Sequence, residues 1–267
     1  MLKFPQLGET IGGTWNLVLC NEFHMTNDSH LFKTQPGNGR WPLYEGKMIW
    51  QFMHRYAEPR YWVSEKDGRK ALLGKEKDIG QGMSCMGYRL GYRSIASSTN
   101  ERSLIATVLP PKIFFGNSIN ASSNIIMVLD MLYLVSLLNS FVVDFSLRGM
   151  VSANINMFYV YQLLIPRLNN KDKAFGSIIE RAARLICTTP EFDDLAKEVG
   201  LGSHKKGVTN EVERARLRAE LDGLIAHLYG LTEEEFAYIL TTFPLVSDAV
   251  KVAALNAYRD VEQGLIK

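Results

Sequence analysis

The hydrophobic pattern changes character near Ser123, and this limits the folds open to the chain. Upstream, apolar residues come in short runs broken by turn signals: Gly12-Gly13, Pro36-Gly37-Asn38-Gly39 and Asp67-Gly68. Arg60-Tyr61-Trp62-Val63 and Leu104-Ile105-Ala106-Thr107-Val108-Leu109 have the β-branched and aromatic character of strands, and Pro110-Pro111 ends the second. Downstream, the period becomes helical. Leu134, Leu137, Leu138 and Phe141 fall at i, i+3, i+4 and i+7. The pattern predicts an α+β protein: a β-containing unit over residues 1–165 followed by a helical unit over residues 166–267. A chain of 267 residues is long enough for one large or two small domains.

The helical part carries readable punctuation. Gly149 is a stop after the first apolar helix. Lys171 to Thr188 reads as a helix with Ile178, Ile179, Ala182 and Ile186 inward, and Thr189-Pro190 as an N-cap with Pro at the first helical position. Val199 to Val208, with Gly200, Gly202 and Gly207, is the best linker candidate. Asn210 and Glu213 have capping-box spacing, and Leu217, Leu221, Leu224, Ile225 and Leu228 form one stripe that Gly230 ends. Thr232 with Glu235 opens the next helix, and Leu231 and Phe236 occupy the positions of a hydrophobic staple. A last helix is expected from Ser247 to about Ile266.

Charge is unevenly spread. From Lys33 to Lys112 there are 14 Lys/Arg against 7 Asp/Glu; from Pro190 to Lys267 there are 9 against 14. A basic first half suits a polyanion, and uneven solvated surfaces are the plain alternative. Cys20, Cys85 and Cys187 are odd in number and far apart, which argues for a reducing, cytoplasmic setting. No charged leader precedes an apolar run, and Met131 to Val143 is too short to span a bilayer, so no membrane partner is expected. Cys20, His24 and His30 fit no standard zinc spacing. Cys187 and His227 lie on helical patterns without an oxyanion-hole signature, so neither a metal nor a thiol nucleophile is expected.

The densest functional signal runs from Arg89 through Gly91-Tyr92-Arg93-Ser94, Ser97-Ser98-Thr99-Asn100-Glu101-Arg102 and on to Pro110. Guanidinium forks suit phosphates and guanine edges, Ser and Thr suit phosphates, and Asn suits adenine edges. Other blocks accompany it in order. They are Glu22-Phe23-His24-Met25-Thr26-Asn27-Asp28-Ser29-His30-Leu31-Phe32-Lys33, Pro42 to Tyr56, Leu137 to Phe145, Asn154-Ile155-Asn156-Met157-Phe158, Ala215 to Asp222, and His227 to Thr232.

This succession resembles the C-terminal target-recognition region of adenine-N6 DNA methyltransferases with a fused specificity region. These include type IIG restriction–modification enzymes and their BREX and DISARM phage-defence relatives. The resemblance implies sequence-specific recognition of duplex DNA on behalf of a methyltransferase catalytic domain in the same or another chain. That domain would bind S-adenosylmethionine and flip the target adenine out of the stack. The catalytic motifs themselves are not in this sequence. Pro110-Pro111 lies between Leu109 and Lys112, not in an Asn-Pro-Pro-Tyr context, and Gly80, Gly82, Gly87 and Gly91 open no helix after a clean strand. No catalytic residue and no cofactor are therefore assigned to this chain.

Candidate DNA-binding residues follow, each with a structural alternative. Lys47, Gln51, His54 and Arg55 have the spacing of one polar helix face, which could equally be a solvated face. Arg89, Arg93 and Arg102 could touch DNA or form ion pairs, for instance with Glu101 or Glu45. Ser98, Thr99 and Asn100 could read DNA or cap a turn. Asn154 and Asn156 fit either a turn or a base contact. Asn139 and Asp144, on an apolar helix, read as buried polar anchors. The C-terminal helices could pack on the recognition unit or dock the catalytic domain. A subunit of a defence complex that only holds other proteins is the alternative to DNA recognition.

Overall fold

The computed structural model describes residues 3–96, 100–169 and 171–267. Strand β1 is Leu19–Cys20, β2 Phe32–Lys33, β3 Arg40–Tyr44 and β4 Tyr61–Ser64. Helix α1 is Glu65–Leu73, and β5 Arg89–Arg93, β6 Ala106–Leu109, β7 Phe114–Phe115 and β8 Ile119–Ser122 follow. Then come α2 Val128–Asn139, α3 Phe141–Arg148, α4 Met157–Tyr161, α5 Lys173–Ile186, α6 Asp193–Glu198, α7 Glu211–Leu228, α8 Glu233–Thr241 and α9 Asp248–Glu262. The fold is α+β. Among the described residues every strand precedes Ser123, where the sequence pattern changes.

Two four-stranded sheets form, in the orders β1-β8-β5-β6 and β2-β4-β3-β7. The first is antiparallel throughout; in the second, β3 and β7 run parallel with Leu43 opposite Phe114. Helix α2 packs against β5, β6 and α5, and α7 packs against α9. The main hydrophobic cluster reaches from Leu7 through α2 and α5 to Tyr258. Two smaller clusters lie around Ile49 and Phe115 and around Trp41 and Phe114.

Most of the helical punctuation holds, except at Thr189, whose side chain makes no capping bond and where Pro190 opens only a 3-10 turn, Pro190–Phe192. Asn210 accepts from Glu213 N at the start of α7, and Thr232 and Glu235 form a reciprocal capping box on α8. Asn139 and Asp144 are the expected anchors. Asn139 both accepts from and donates to the backbone of Ala106 at 2.9 Å, and Asp144 accepts from Ser103 N and Leu104 N. The apolar run around Met131 breaks at Ser140 into α2 and α3, which are bent by 61° and largely buried. Among the described residues no single helix is long and apolar enough to cross a membrane.

Three local expectations are overturned. Asp67-Gly68 is no turn but lies in α1; a side chain at 68 would strike the Phe114 ring at 2.4 Å, so the glycine serves close packing. The 199–208 segment is no free linker. Val208 N donates to Arg184 O, and a Cβ at Gly207 would meet Cys187 O at 1.9 Å. The helix expected over Lys47–Arg55 is a 3-10 helix, Gly46–Met48, followed by a two-residue hairpin. Trp50 and Met53 exchange backbone hydrogen bonds at 2.9 and 3.0 Å, and Phe52 takes φ 60° at the tip. Its tip enters the main core: Phe52 N donates to Ala106 O, and Gln51 Nε2 donates to Asn139 O. Tertiary burial of Phe52 outweighs helix propensity, which is a weak force over nine residues.

Candidate nucleic-acid interface

The arginines that the sequence singles out are mostly enclosed. Arg89 is 1% exposed. Its Nη1 pairs with Glu22 Oε1, its Nη2 donates to Ile113 O at 2.7 Å, and its guanidinium lies over Phe115. Burial pushes the Glu22 carboxyl up, and Arg89 together with Phe115 N opposes that shift. Arg102 is 6% exposed and lies 3.3 Å over the Phe141 ring, with Nη2 donating to Asp222 Oδ2 at 3.2 Å. Asp222 in turn accepts from Phe141 N, the first residue of α3. Arg93 is half-buried; Nε and Nη2 both donate to Ile49 O, and its guanidinium covers Trp50. The ion-pair alternative holds for Arg89 and Arg102, with Glu22 and Asp222 as partners. A buried cation with a fixed partner supports the fold from within.

The polar face drawn over residues 47–55 dissolves with its helix. Gln51 is buried at the hairpin tip. His54 is buried between Tyr44 OH and Thr189 Oγ1, each at 3.1 Å, with the Phe192 ring edge-on. Desolvation lowers its pKa to about 4, so it sits neutral. Lys47 and Arg55 remain at the surface; Arg55 holds Glu58 at 2.6 Å, and the Lys47 ammonium is 4.0 Å from Glu45. Asn100 is half-buried, whereas Ser98 and Thr99 lie outside the described residues.

Asn154 and Asn156 come together with residues that sequence reading missed. As the chain leaves β5, Ser94 O accepts from Ile155 N and Ala96 N donates to Ala153 O, forming a short ladder with Ile95 opposite Asn154. The turn between β7 and β8 closes on the same place: Ser94 N donates to Ser118 O, and Ser94 Oγ to Asn117 O. Asn120, buried beneath, ties the segments by donating to Tyr92 OH at 2.9 Å and Ile155 O at 3.3 Å. These elements surround a concavity of about 470 Å³ whose rim carries Asn21, Asn117, Asn154, Asn156, Ile95 and Phe158.

Those four rim asparagines are exposed, and their side-chain amides make no hydrogen bond to a described residue. Asn156 stands at the N-cap of α4 yet makes no capping bond. Asn154 and Asn156 also border a second hollow of about 420 Å³ that reaches Gly149 and Tyr159, so they form a ridge between two recesses. Lys47 adjoins this corner through Gly46, whose N–H donates to Ser118 Oγ at 2.8 Å. Asn21 and Asn117 had no sequence signal beyond being polar residues in loops; only the topology brings them to Asn154.

A larger cleft of about 700 Å³ opens between α7 and α9, walled by Trp50, Val212, Ala215, Val250 and Ala253 with Arg102 at its floor. Burial pushes all three thiols up, Cys20 to about 11 and Cys187 to about 12. His227 stacks on Tyr258 at 4.0 Å. His24 Nδ1 accepts from the backbone of Thr26 and Asn27 within its own turn. Among the described residues no group of three or more His, Cys, Asp or Glu side chains could hold a metal ion. Gly91 lies inside β5, and Gly80, Gly82 and Gly87 precede β5 without leading from a strand into a helix.

No protein-family model matches the chain, and no curated protein matches it. Among solved structures it is similar to MmeI, a type IIL restriction-modification enzyme in complex with DNA. The TM-score is 0.48 at 11% sequence identity over 98% of this chain and 37% of that one. The chain thus spans little more than a third of the length of that enzyme.

Proposed function

We propose that the chain is a sequence-specific duplex DNA recognition module of an adenine-N6 DNA methyltransferase of the restriction–modification or phage-defence kind. The observation that carries this reading is the ridge of Asn154 and Asn156 with the concavity beside it. The two residues belong to one of the blocks that resemble the family's specificity region. Their amides are exposed and unengaged by described residues. Amide side chains are base-edge readers, and exposed amides between two hollows are accessible to a base edge.

In this reading Lys47 and other surface cations of the basic half set register on the phosphates, and the asparagines read sequence. Arg89, Arg93 and Arg102 hold the scaffold that presents them. Methyl transfer belongs to a catalytic domain, in the same or another chain, that holds S-adenosylmethionine. The chain itself would neither bind that cofactor nor methylate DNA. Duplex binding titrated at several salt concentrations tests the reading: phosphate neutralisation gives a steep, linear loss of log affinity with log salt.

The cleft between α7 and α9 favours a second reading, a subunit that holds other proteins. Val212 and Val250 there are exposed at 80% and 43%. Salt-independent, weak retention on DNA together with capture of a partner protein would favour it over the first.

A further inference from the structure

We infer that the concavity beside Asn154 and Asn156 reads an A·T base pair from its major-groove edge. This rests on the DNA-recognition reading and goes one step beyond it, to the base pair. Each base pair demands its own side-chain chemistry in the major groove. Guanine presents two acceptors, N7 and O6, and is met by Arg or Lys. Cytosine presents an amino donor and is met by a carboxylate. Adenine presents an acceptor at N7 beside a donor at N6, and thymine adds a methyl group.

Among the described residues no charged side chain lines the concavity. The charged groups that most often meet guanine and cytosine are therefore not among its described lining residues. What is present is the complement of adenine and thymine. An amide offers one NH2 donor and one carbonyl acceptor on the same plane, the mirror of adenine N7 and N6. Set against guanine, the amide carbonyl would face O6, an acceptor against an acceptor. Ile95 and Phe158, exposed at 53% and 67%, supply apolar surface on the same rim. They are placed to cover a thymine methyl while Asn154 or Asn156 addresses the adenine.

The amides make no hydrogen bond to a described residue. Asn156 forgoes its capping bond, and Asn154 is fixed through its backbone partnership with Ile95 while its side chain stays unengaged by described residues. Asn120 below the floor is already consumed by Tyr92 and Ile155 and serves as a positioning residue.

The test uses the full chain and a randomised duplex library, followed by titration of the selected site. The expected motif contains an A·T pair whose replacement by G·C costs roughly 5- to 150-fold in affinity. At that pair, 7-deazaadenine removes the N7 acceptor and uracil removes the methyl group. Each should weaken the wild-type chain. The deaza substitution should have no further effect on an Asn154→Ala/Asn156→Ala double variant, and the uracil substitution none on Ile95→Ala/Phe158→Ala. Thermal melts of both variants should match the wild type, since all four side chains are exposed.

Selective binding with a motif in which no A·T pair is coupled to these side chains overturns the inference and leaves the DNA-recognition reading standing. No sequence selectivity and no salt-dependent binding at all would overturn both.

Discussion

Arg89 and Asn154 belong to opposite kinds of region, although both look from the sequence like hands held out to DNA. Around β5 and α3 the charged side chains face inward: Arg89 meets Glu22 and Arg102 meets Asp222, all nearly sealed from water. At the far end of β5 the chain turns outward, and the side chains there are neutral amides without partners among the described residues. The contrast teaches that a guanidinium in a basic stretch is a poor guide to a binding surface. A charge that the fold buries is costly unless it is paired, and here each guanidinium is turned towards a buried carboxylate instead of towards the surface, although Arg89 Nε and Arg102 Nη1 keep no partner among the described residues. A neutral amide at a loop corner costs the fold little to leave free.

The sharpest way to break this comparison is Asp222→Ala. It strands Arg102 in the core and removes the acceptor for Phe141 N. Denaturant unfolding should lose about 3–5 kcal/mol, and under the DNA-recognition proposal the folded molecules keep their duplex affinity and salt slope. A stable variant with weakened DNA binding would mean that Arg102 faces the ligand after all. Asn139→Ala should come next, at about 2–4 kcal/mol. It leaves the Ala106 N–H and carbonyl without their buried partners and removes the group that anchors β6 on α2.

His54 adds a pH dependence to the enclosed region. Its folded pKa of about 4 lies below the unfolded value near 6.5, so the native state binds fewer protons between the two. Its contribution to stability is complete above about pH 6.5 and is lost as pH falls towards 4, by up to about 3 kcal/mol. Asp144, held up near 6, works in the opposite sense: its contribution is greatest at low pH and is lost as pH rises from about 4 through 6. The groups around His54 are Tyr44, Thr189, Phe192, Arg55 and Glu191. Comparing unfolding of wild type and His54→Gln across pH 4–7 isolates the histidine. Identical slopes for the two proteins would refute it.

The smallest effect sharpens the outward-facing side. Lys47→Ala should leave the melting temperature unchanged and lower the salt slope of duplex binding by about one unit, equally for all sequences. A loss confined to one sequence would move Lys47 from register to readout.

Much of the architecture is written locally and could be read. Helix ends follow from side chains a few residues apart, as Thr232 with Glu235 and Asn210 with Glu213 show, and the change of period near Ser123 marks the last strand. What could not be read depends on distant partners. Nothing near Arg89 announces Glu22, which is 67 residues away, and nothing near Arg102 announces Asp222, 120 residues away. The polar spacing of Lys47, Gln51, His54 and Arg55 suits a helix face, and only the distant contacts of Gln51 with Asn139 and Phe52 with Ala106 decide for the hairpin. The candidate site was half legible: Asn154 and Asn156 carried a motif signal, while Asn21 and Asn117 join them only through the fold.

That hairpin has a consequence in time. Gln51 is fastened to Asn139, 88 residues downstream, and Phe52 to Ala106. Chains emerge during synthesis at about 5–20 residues per second, so the tip waits roughly 4 to 18 seconds for the helix that receives it. Until then the contacts that bury Phe52 and hold it at a positive φ in the finished fold are incomplete. The first half of the chain is therefore a guest of the second, and a ribosome stalled before Asn139 would carry a basic segment with its plug unseated.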